Sequence, residues 1–210
     1  MGNSAISTKL QEAYKKRGIE NYKLNFVDAK TFYEALNVAK KENEYGAFVT
    51  LHDKKEYENM KLLLTNDKKA GIAITNDNNI VSVFKGESEK KNMVTTLLPA
   101  AIELGGNKLD NYNSEKLFDI YSLYGFIPVA KVKFDPNYAQ ADWDYNKYGQ
   151  PDILFWVHNG LSASEVVEEL GNLGADESLI KEFNTYDEAM KYRDEILEKM
   201  KQYENEWIYK

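Results

Sequence analysis

Residues 105–134 constrain the fold of this chain more than any other stretch. Gly105 and Gly106 break the chain, and residues 108–110 then read as a short strand. Asn111, Tyr112, Asn113 and Ser114 read as a turn, because Asn and Ser side chains bond readily to nearby backbone. Residues 117–124 read as a helix that stops at Gly125, where glycine takes the left-handed conformation without cost. Residues 126–134 follow as a long strand. Tyr121 stands four residues before Gly125, so the helix ends in Tyr-x-x-x-Gly-Phe and runs directly into that strand.

The flanking chain alternates strands and helices. Residues 5–17 place Ile6, Leu10, Ala13 and Tyr14 on one helical face, and Gly18 ends that helix. Tyr22, Leu24 and Phe26 alternate along a strand over residues 22–27. Asp28 is an N-cap for a helix over residues 30–41. Four strands are expected over residues 47–51, 61–64, 70–75 and 80–84, the last two joined by an Asn- and Asp-rich hairpin turn. Residues 52–59 form a polar connection with a helical turn. Residues 87–104 read as a helix preceded by a charged loop, and Pro99 should kink that helix. A Tyr-, Asp- and Asn-rich loop covers residues 135–151, and residues 152–158 close the sheet. Beyond it, Ser162 with Glu165 and Thr185 with Glu188 have capping-box spacing. Asp176 caps a short helix running through Phe183, and the last helix carries Ala189, Ile196, Met200, Tyr203 and Trp207 at helical spacing.

The expected fold class is therefore α/β (α+β), with a mixed, mostly antiparallel sheet flanked by helices. One domain over residues 1–160, its core at about 22–158, would precede a helical extension over residues 161–210. The net charge of −7 lies entirely in that extension, which carries 13 acidic and 6 basic side chains. An acidic surface of this kind argues against nucleic-acid binding, which needs clustered Lys or Arg. There are no cysteines, so disulfides, thiolate metal sites and cysteine nucleophiles are excluded. The only histidines, His52 and His158, have no metal-like companion spacing and read as structural or solvent-facing. No apolar run approaches the ~20 residues of a membrane span, and no signal-peptide pattern is present, which points to a cytoplasmic protein.

Strand, helix, three strands, helix, strand, helix, strand, strand over residues 22–158, with the Tyr-x-x-x-Gly-Phe helix end, resembles the GNAT family of N-acetyltransferases. The resemblance implies that acetyl-CoA or another acyl-CoA lies between residues 80–84, with Val81 and Val83, and residues 108–111. It implies a pyrophosphate at the start of the following helix, near Lys90, Lys91, Asn92 and Met93, where orphan N–H groups favour anions. Asn113 and Ser114 would contact the CoA arm. Tyr121 would be the general acid that protonates the departing thiolate. The loop holding Tyr138, Asp142, Trp143, Asp144 and Tyr145 would border the acceptor, an amine-bearing small molecule or protein. No carboxylate occupies the strand over residues 80–84, which offers Ser82 alone. Glu103, Asp110 and His158 are distant candidates for the general base.

A second reading belongs to a different class. After Gly86 no glycine follows until Gly105, whereas the family's pyrophosphate loop is glycine-rich. A scaffold without CoA chemistry would instead bind a protein, as a phage- or mobile-element-type accessory or inhibitor. It would use residues 138–148 or the C-terminal helix. The same residues also have plainer readings: Tyr121 as packing, Lys90 and Lys91 as a solvated charge run, and the long loop as one that folds its aromatics onto the sheet.

Overall fold

Local caps set most helix starts in the structure, a computed structural model that describes residues 5–208 and side chains from 5 to 204. Ser7 accepts from the Leu10 N–H (3.2 Å) and opens α1 (Thr8–Arg17), which Gly18 closes at φ 61°. Asp28 accepts from the Thr31 N–H (2.7 Å) and opens α2 (Ala29–Glu42). Asp53 and Glu56 form a reciprocal box at the start of α3 (Lys54–Tyr57). Two compact units result, residues 1–107 with 160–173, and residues 108–159 with 174–210.

In the first unit β1 (Leu24–Phe26), β2 (Lys61–Thr65), β3 (Ala70–Ile74) and β4 (Ile80–Lys85) form an antiparallel sheet in that order. Phe32, Leu36 and Ala39 of α2 pack with Tyr57 onto Leu62, Leu64, Ala73 and Phe84. Strand alternation turns Leu63, Ile72 and Ile74 to the opposite face, and α4 (Val94–Glu103) packs against β3. Every residue of β3 is buried, which is why it lacks an alternating pattern. Serine and glutamate at 162 and 165 make the expected box at α7 (Ala163–Glu168), which packs against α1 and α4. Arg17 donates to the carbonyls of Val167 (3.2 Å), Glu168 and Leu170 (2.9 Å), closing the C-terminal end of α7.

Two expectations fail in this unit. Residues 47–51 form no strand; a 3-10 turn over Gly46–Phe48 takes their place. The Lys40 ammonium donates to the carbonyls of Gly46 (2.8 Å) and Val49, so these acceptors are satisfied outside any ladder. Gly46 lies so close to the backbone of Lys40 that a Cβ would collide with it. The helix expected from residue 87 begins at Val94, because the Gly86 N–H donates to Lys69 (2.6 Å) and the Glu87 N–H to the Glu42 carboxylate (3.0 Å).

In the second unit β5 (Lys108–Tyr112), β6 (Phe126–Val132), β7 (Ile153–His158) and β8 (Lys181–Phe183) form a mixed sheet in the order β5-β7-β6-β8. β7 is central, not terminal, and buried on both faces. Phe155 and Val157 meet Ala189 and Leu197 of α8 (Tyr186–Ile208), while Trp156 meets Phe118 and Tyr121 of α5 (Glu115–Leu123). Burial on both faces accounts for the unbroken apolar run of residues 153–157. The helix expected through Phe183 is instead a 3-10 turn, Glu177–Leu179, and then β8, parallel to Ala130, Lys131 and Val132. Three residues are too few to display a strand period. Asn111 and Tyr112, expected in a turn, continue β5 opposite Leu154 and Ile153. Thr185 and Glu188 form the expected box before α8 (3.3 and 3.2 Å).

Two four-stranded sheets flanked by helices and ending in a C-terminal helix make this the α+β architecture expected. No helix among the described residues is long and apolar enough to cross a membrane. The side chain of Trp207, expected on the apolar stripe of the last helix, lies outside the described residues.

His158 shows how completely the second core excludes water. Its Nε2 lies 3.0 Å from the Tyr124 carbonyl and its ring stands edge-on to Phe126. Burial lowers its pKa below the ordinary 6.5, and the bond to Tyr124 offsets only part of that effect. The folded ring therefore resists a proton that the unfolded chain accepts, so its contribution is complete above 6.5 and is lost as pH falls below it. The urea midpoint is expected to fall between about pH 7.5 and about pH 5.5, and His158→Gln should flatten that decline. An equal decline in both proteins would rule His158 out as its source.

Candidate functional site

β4 is the last strand of the first sheet, so one of its edges carries no ladder among the described residues. Phe84 pairs with Gly71 and Val81 with Ala73, which leaves Ser82 and Val83 together opposite Ile72. This is a β-bulge, a device that unpairs backbone and bends the strand. Ser82 sits there at φ 52°, a region costly for a residue with a Cβ. Its Oγ donates to the Thr50 carbonyl (3.3 Å) and lies 2.8 Å from the Tyr57 hydroxyl. The Tyr57 oxygen accepts from the backbone N–H of His52 (3.2 Å), so one directed chain runs from His52 through Tyr57 and Ser82 to Thr50. Burial pushes the Tyr57 phenol up, against the lowering effect of its bonds to Ser82 and His52. Val81 and Val83 are half-buried neighbours on the same strand.

The residues expected around a pyrophosphate are only partly available. Lys90 pairs with Asp67 (3.2 Å), and its ammonium sits 5.3 Å from the centroid of the Tyr22 ring. Burial alone would raise Asp67, but bonds from Thr65 and Lys69 and the Lys90 charge outweigh it and hold the carboxyl below its usual range. Lys91 is exposed, and its carbonyl accepts from the Tyr22 hydroxyl (3.1 Å). Asn92 adopts φ 55°, and its carbonyl takes the Thr95 N–H (3.0 Å). Met93 is buried at the N-cap of α4 without a side-chain cap. A glycine cradle is absent from this loop, whose single glycine, Gly86, is bonded to Lys69.

In the second unit Tyr121 projects from α5 against Phe126 and Trp156, with ring centroids at 6.1 and 5.7 Å. Burial, and then the charge of Asp110, raises its pKa well above the usual phenol range. Ser114 caps α5 by accepting from the Leu117 N–H (3.2 Å), so its hydroxyl is already in use. Asn113 donates its N–H to Asp152 (2.8 Å), and its buried Oδ1 accepts no hydrogen bond among the described residues. The long loop divides by residue. Trp143 is buried against Tyr112 and Phe134 (4.8 and 5.2 Å), and its Nε1 donates to Gly149 (2.9 Å). Asp144 caps α6 (Tyr145–Tyr148) by accepting from Asn146 and Lys147. Tyr138, 80% exposed, Tyr145 and Asp142 face solvent. Trp143 alone of these five is packed; Tyr138, Asp142, Asp144 and Tyr145 are exposed, Asp144 as the cap of α6.

Comparison with protein-family models, with curated proteins and with solved structures gives no match.

Two further clusters carry chemistry that residue spacing did not single out. His52, Glu56, Tyr57 and Ser82 assemble beside the bulge; the Asp53-x-x-Glu56 capping spacing was the only local sign of them. In the second unit Arg193 of α8, 1% exposed, pairs with Asp194 through Nε (3.0 Å) and with Asp110 through Nη1 (3.5 Å). The Nη1 contact is an ion pair without hydrogen-bond geometry. Tyr186 donates to Asp110 (3.0 Å), and burial, then the Asp110 charge, raises its pKa strongly. Among the described residues no group of three or more His, Asp or Glu could hold a metal ion.

Proposed function

We propose that this protein is a GNAT-like N-acyltransferase that moves an acyl group, acetyl in the simplest case, from acyl-CoA to an amine. The observation that carries this reading is the bulged, open-edged β4 running through a short loop into α4. An extended ligand bearing amides can add to a strand edge through main-chain hydrogen bonds. The pantetheine arm of CoA is such a ligand, and the edge of β4 turned away from β3 offers it partners. The unsatisfied Oδ1 of Asn113 separately supports a ligand with an N–H donor, since buried acceptors are rarely left unpaired. The missing glycine cradle leaves Lys91 and the first turn of α4 to meet the phosphates. The role of donor to the departing sulfur is assigned to Tyr121 by its place in Tyr-x-x-x-Gly-Phe alone. A phenol raised above an ordinary thiol value of about 8.5 keeps its proton, so it stabilises the thiolate by a hydrogen bond instead of full transfer.

Acetyl-CoA at about 100 times its dissociation constant should stabilise the fold by about 2.7 kcal/mol, a rise of roughly 5–10 °C in Tm. Tyr121→Phe should then lower turnover more than it lowers that stabilisation. No rise with any acyl-CoA would end the acyl-transfer reading. The protein-binding reading would then stand on the exposed Tyr138, Tyr145 and Asp142, together with a Lys90 already neutralised by Asp67.

A further inference from the structure

The reaction proposed above needs a group that takes a proton from the amine, and β4 supplies no carboxylate. We infer that His52, oriented by Glu56, is that proton acceptor; the inference rests on the acyl-transfer reading. Three observations place it. His52 is two hydrogen bonds from the bulge, its backbone N–H donating to Tyr57 (3.2 Å), whose hydroxyl meets Ser82 (2.8 Å). Its ring stands perpendicular to the Tyr57 ring at 5.7 Å between centroids, so the imidazole is held beside the same buried tyrosine. Its Nδ1 faces the Glu56 carboxylate at 3.6 Å.

Glu56 is itself fixed. Its Oε2 accepts the Asp53 N–H (2.8 Å) in the capping box of α3, so the helix start aims the carboxylate and the carboxylate aims the ring. At 3.6 Å from Nδ1 this carboxylate makes a charge contact just beyond hydrogen-bond reach; it favours a proton on Nδ1, which leaves the Nε2 lone pair as the base. No hydrogen bond among the described residues reaches Nε2, and the side chain is 27% exposed, which gives a proton a path to water. The groups facing the ring are Glu56 and Tyr57, with Tyr33 beside Tyr57. Tyr57, raised by burial, stays protonated through the neutral range.

In the step, Nε2 removes one proton from the substrate ammonium. The freed nitrogen lone pair forms the C–N bond at the thioester carbonyl, and the C–S bond breaks with its electron pair on sulfur. The second nitrogen proton ends on the thiolate, and the imidazolium returns the first to solvent. Glu56 is a positioning residue, and His52 is the catalytic one.

The test uses the full chain, acetyl-CoA, and a mixture of spermidine, lysine and a lysine-rich peptide as probe amines, with release of free thiol as the signal. His52→Gln should lower the neutral-pH rate by roughly 10²–10⁴-fold, with the acetyl-CoA rise in Tm retained. The deficit should shrink at alkaline pH, where the amine loses its proton unaided. Independently of turnover, long-range nitrogen NMR should show the neutral His52 ring as the Nδ1–H tautomer, and Glu56→Ala should shift it toward Nε2–H. Wild-type turnover and pH profile in His52→Gln would overturn the inference and leave acyl transfer standing. So would an Nε2–H tautomer in the wild type, or bound acetyl-CoA with no probe amine acylated above the His52→Gln rate. Absence of any stabilisation by acetyl-CoA would instead remove the acyl-transfer reading, and this inference with it.

Discussion

Arg193→Ala is expected to destabilise the second unit by about 2–4 kcal/mol. A guanidinium that is 1% exposed has lost its water and depends on what surrounds it. Here Asp194 and Asp110 supply negative charge at 3.0 and 3.5 Å, and the Phe155 ring lies 5.7 Å below Cζ. Lys108 shares the Asp194 carboxylate at 3.4 Å, and Tyr186 shares Asp110. Removing the cation leaves two carboxylates beside a buried face and deletes the stem that packs over Phe155. The side chains of Asp194 and Asp110 remain 41% and 23% exposed and can recover water, which keeps the loss below that of a fully enclosed pair. Urea unfolding followed by tryptophan fluorescence reads this unit directly, because the buried Trp143 and Trp156 belong to it. Arg193→Lys should fall between the two, keeping charge but losing the planar stack. A variant within about 0.5 kcal/mol of wild type would mean that desolvation cancels everything the network contributes.

The same network marks how far the residues alone can be read. Helix starts were legible because a cap needs only a residue and a partner three positions on: Asp28 with Thr31, Ser162 with Glu165, Thr185 with Glu188. The apolar run of residues 153–157 was legible as a strand, but its central place was not, since β5 and β6 come from separate stretches. β8 was missed because its pairing with β6, and not its own three residues, makes it a strand. The residues around Gly46 differ from the expected strand because the Lys40 ammonium, near the end of α2, satisfies the carbonyls of Gly46 and Val49. The candidate site divides in the same way. Tyr121 was visible from its distance to Gly125. Its raised pKa was not, because that depends on burial and on Asp110 of another element. Lys90 looked free until Asp67 came beside it. The bulge at Ser82 is a property of register between β3 and β4, and register is a relation between strands that neither strand states alone.

Trp156→Ala should cost about 3–5 kcal/mol, the loss expected for emptying a fully enclosed indole site. Trp156 is the largest fully buried side chain among the described residues. It sits on the central strand opposite Leu109 on one side and Pro128 on the other. Its ring meets Phe118 at 5.2 Å and Tyr121 at 5.7 Å, and its Nε1 donates to Asn111 (2.6 Å). Alanine therefore removes the wall behind α5 and a part-buried hydrogen bond together. Trp156→Phe separates the two effects: the aromatic wall is largely kept, and Asn111 loses its donor at a cost of about 1–3 kcal/mol. If Tyr121 acts on the departing sulfur, its ring must be held as well as present. Trp156→Phe should then lower turnover beyond its effect on the acetyl-CoA stabilisation, in the same direction as Tyr121→Phe. A Trp156→Phe variant that loses stability yet turns over normally would leave Tyr121 as part of the core and not of the chemistry.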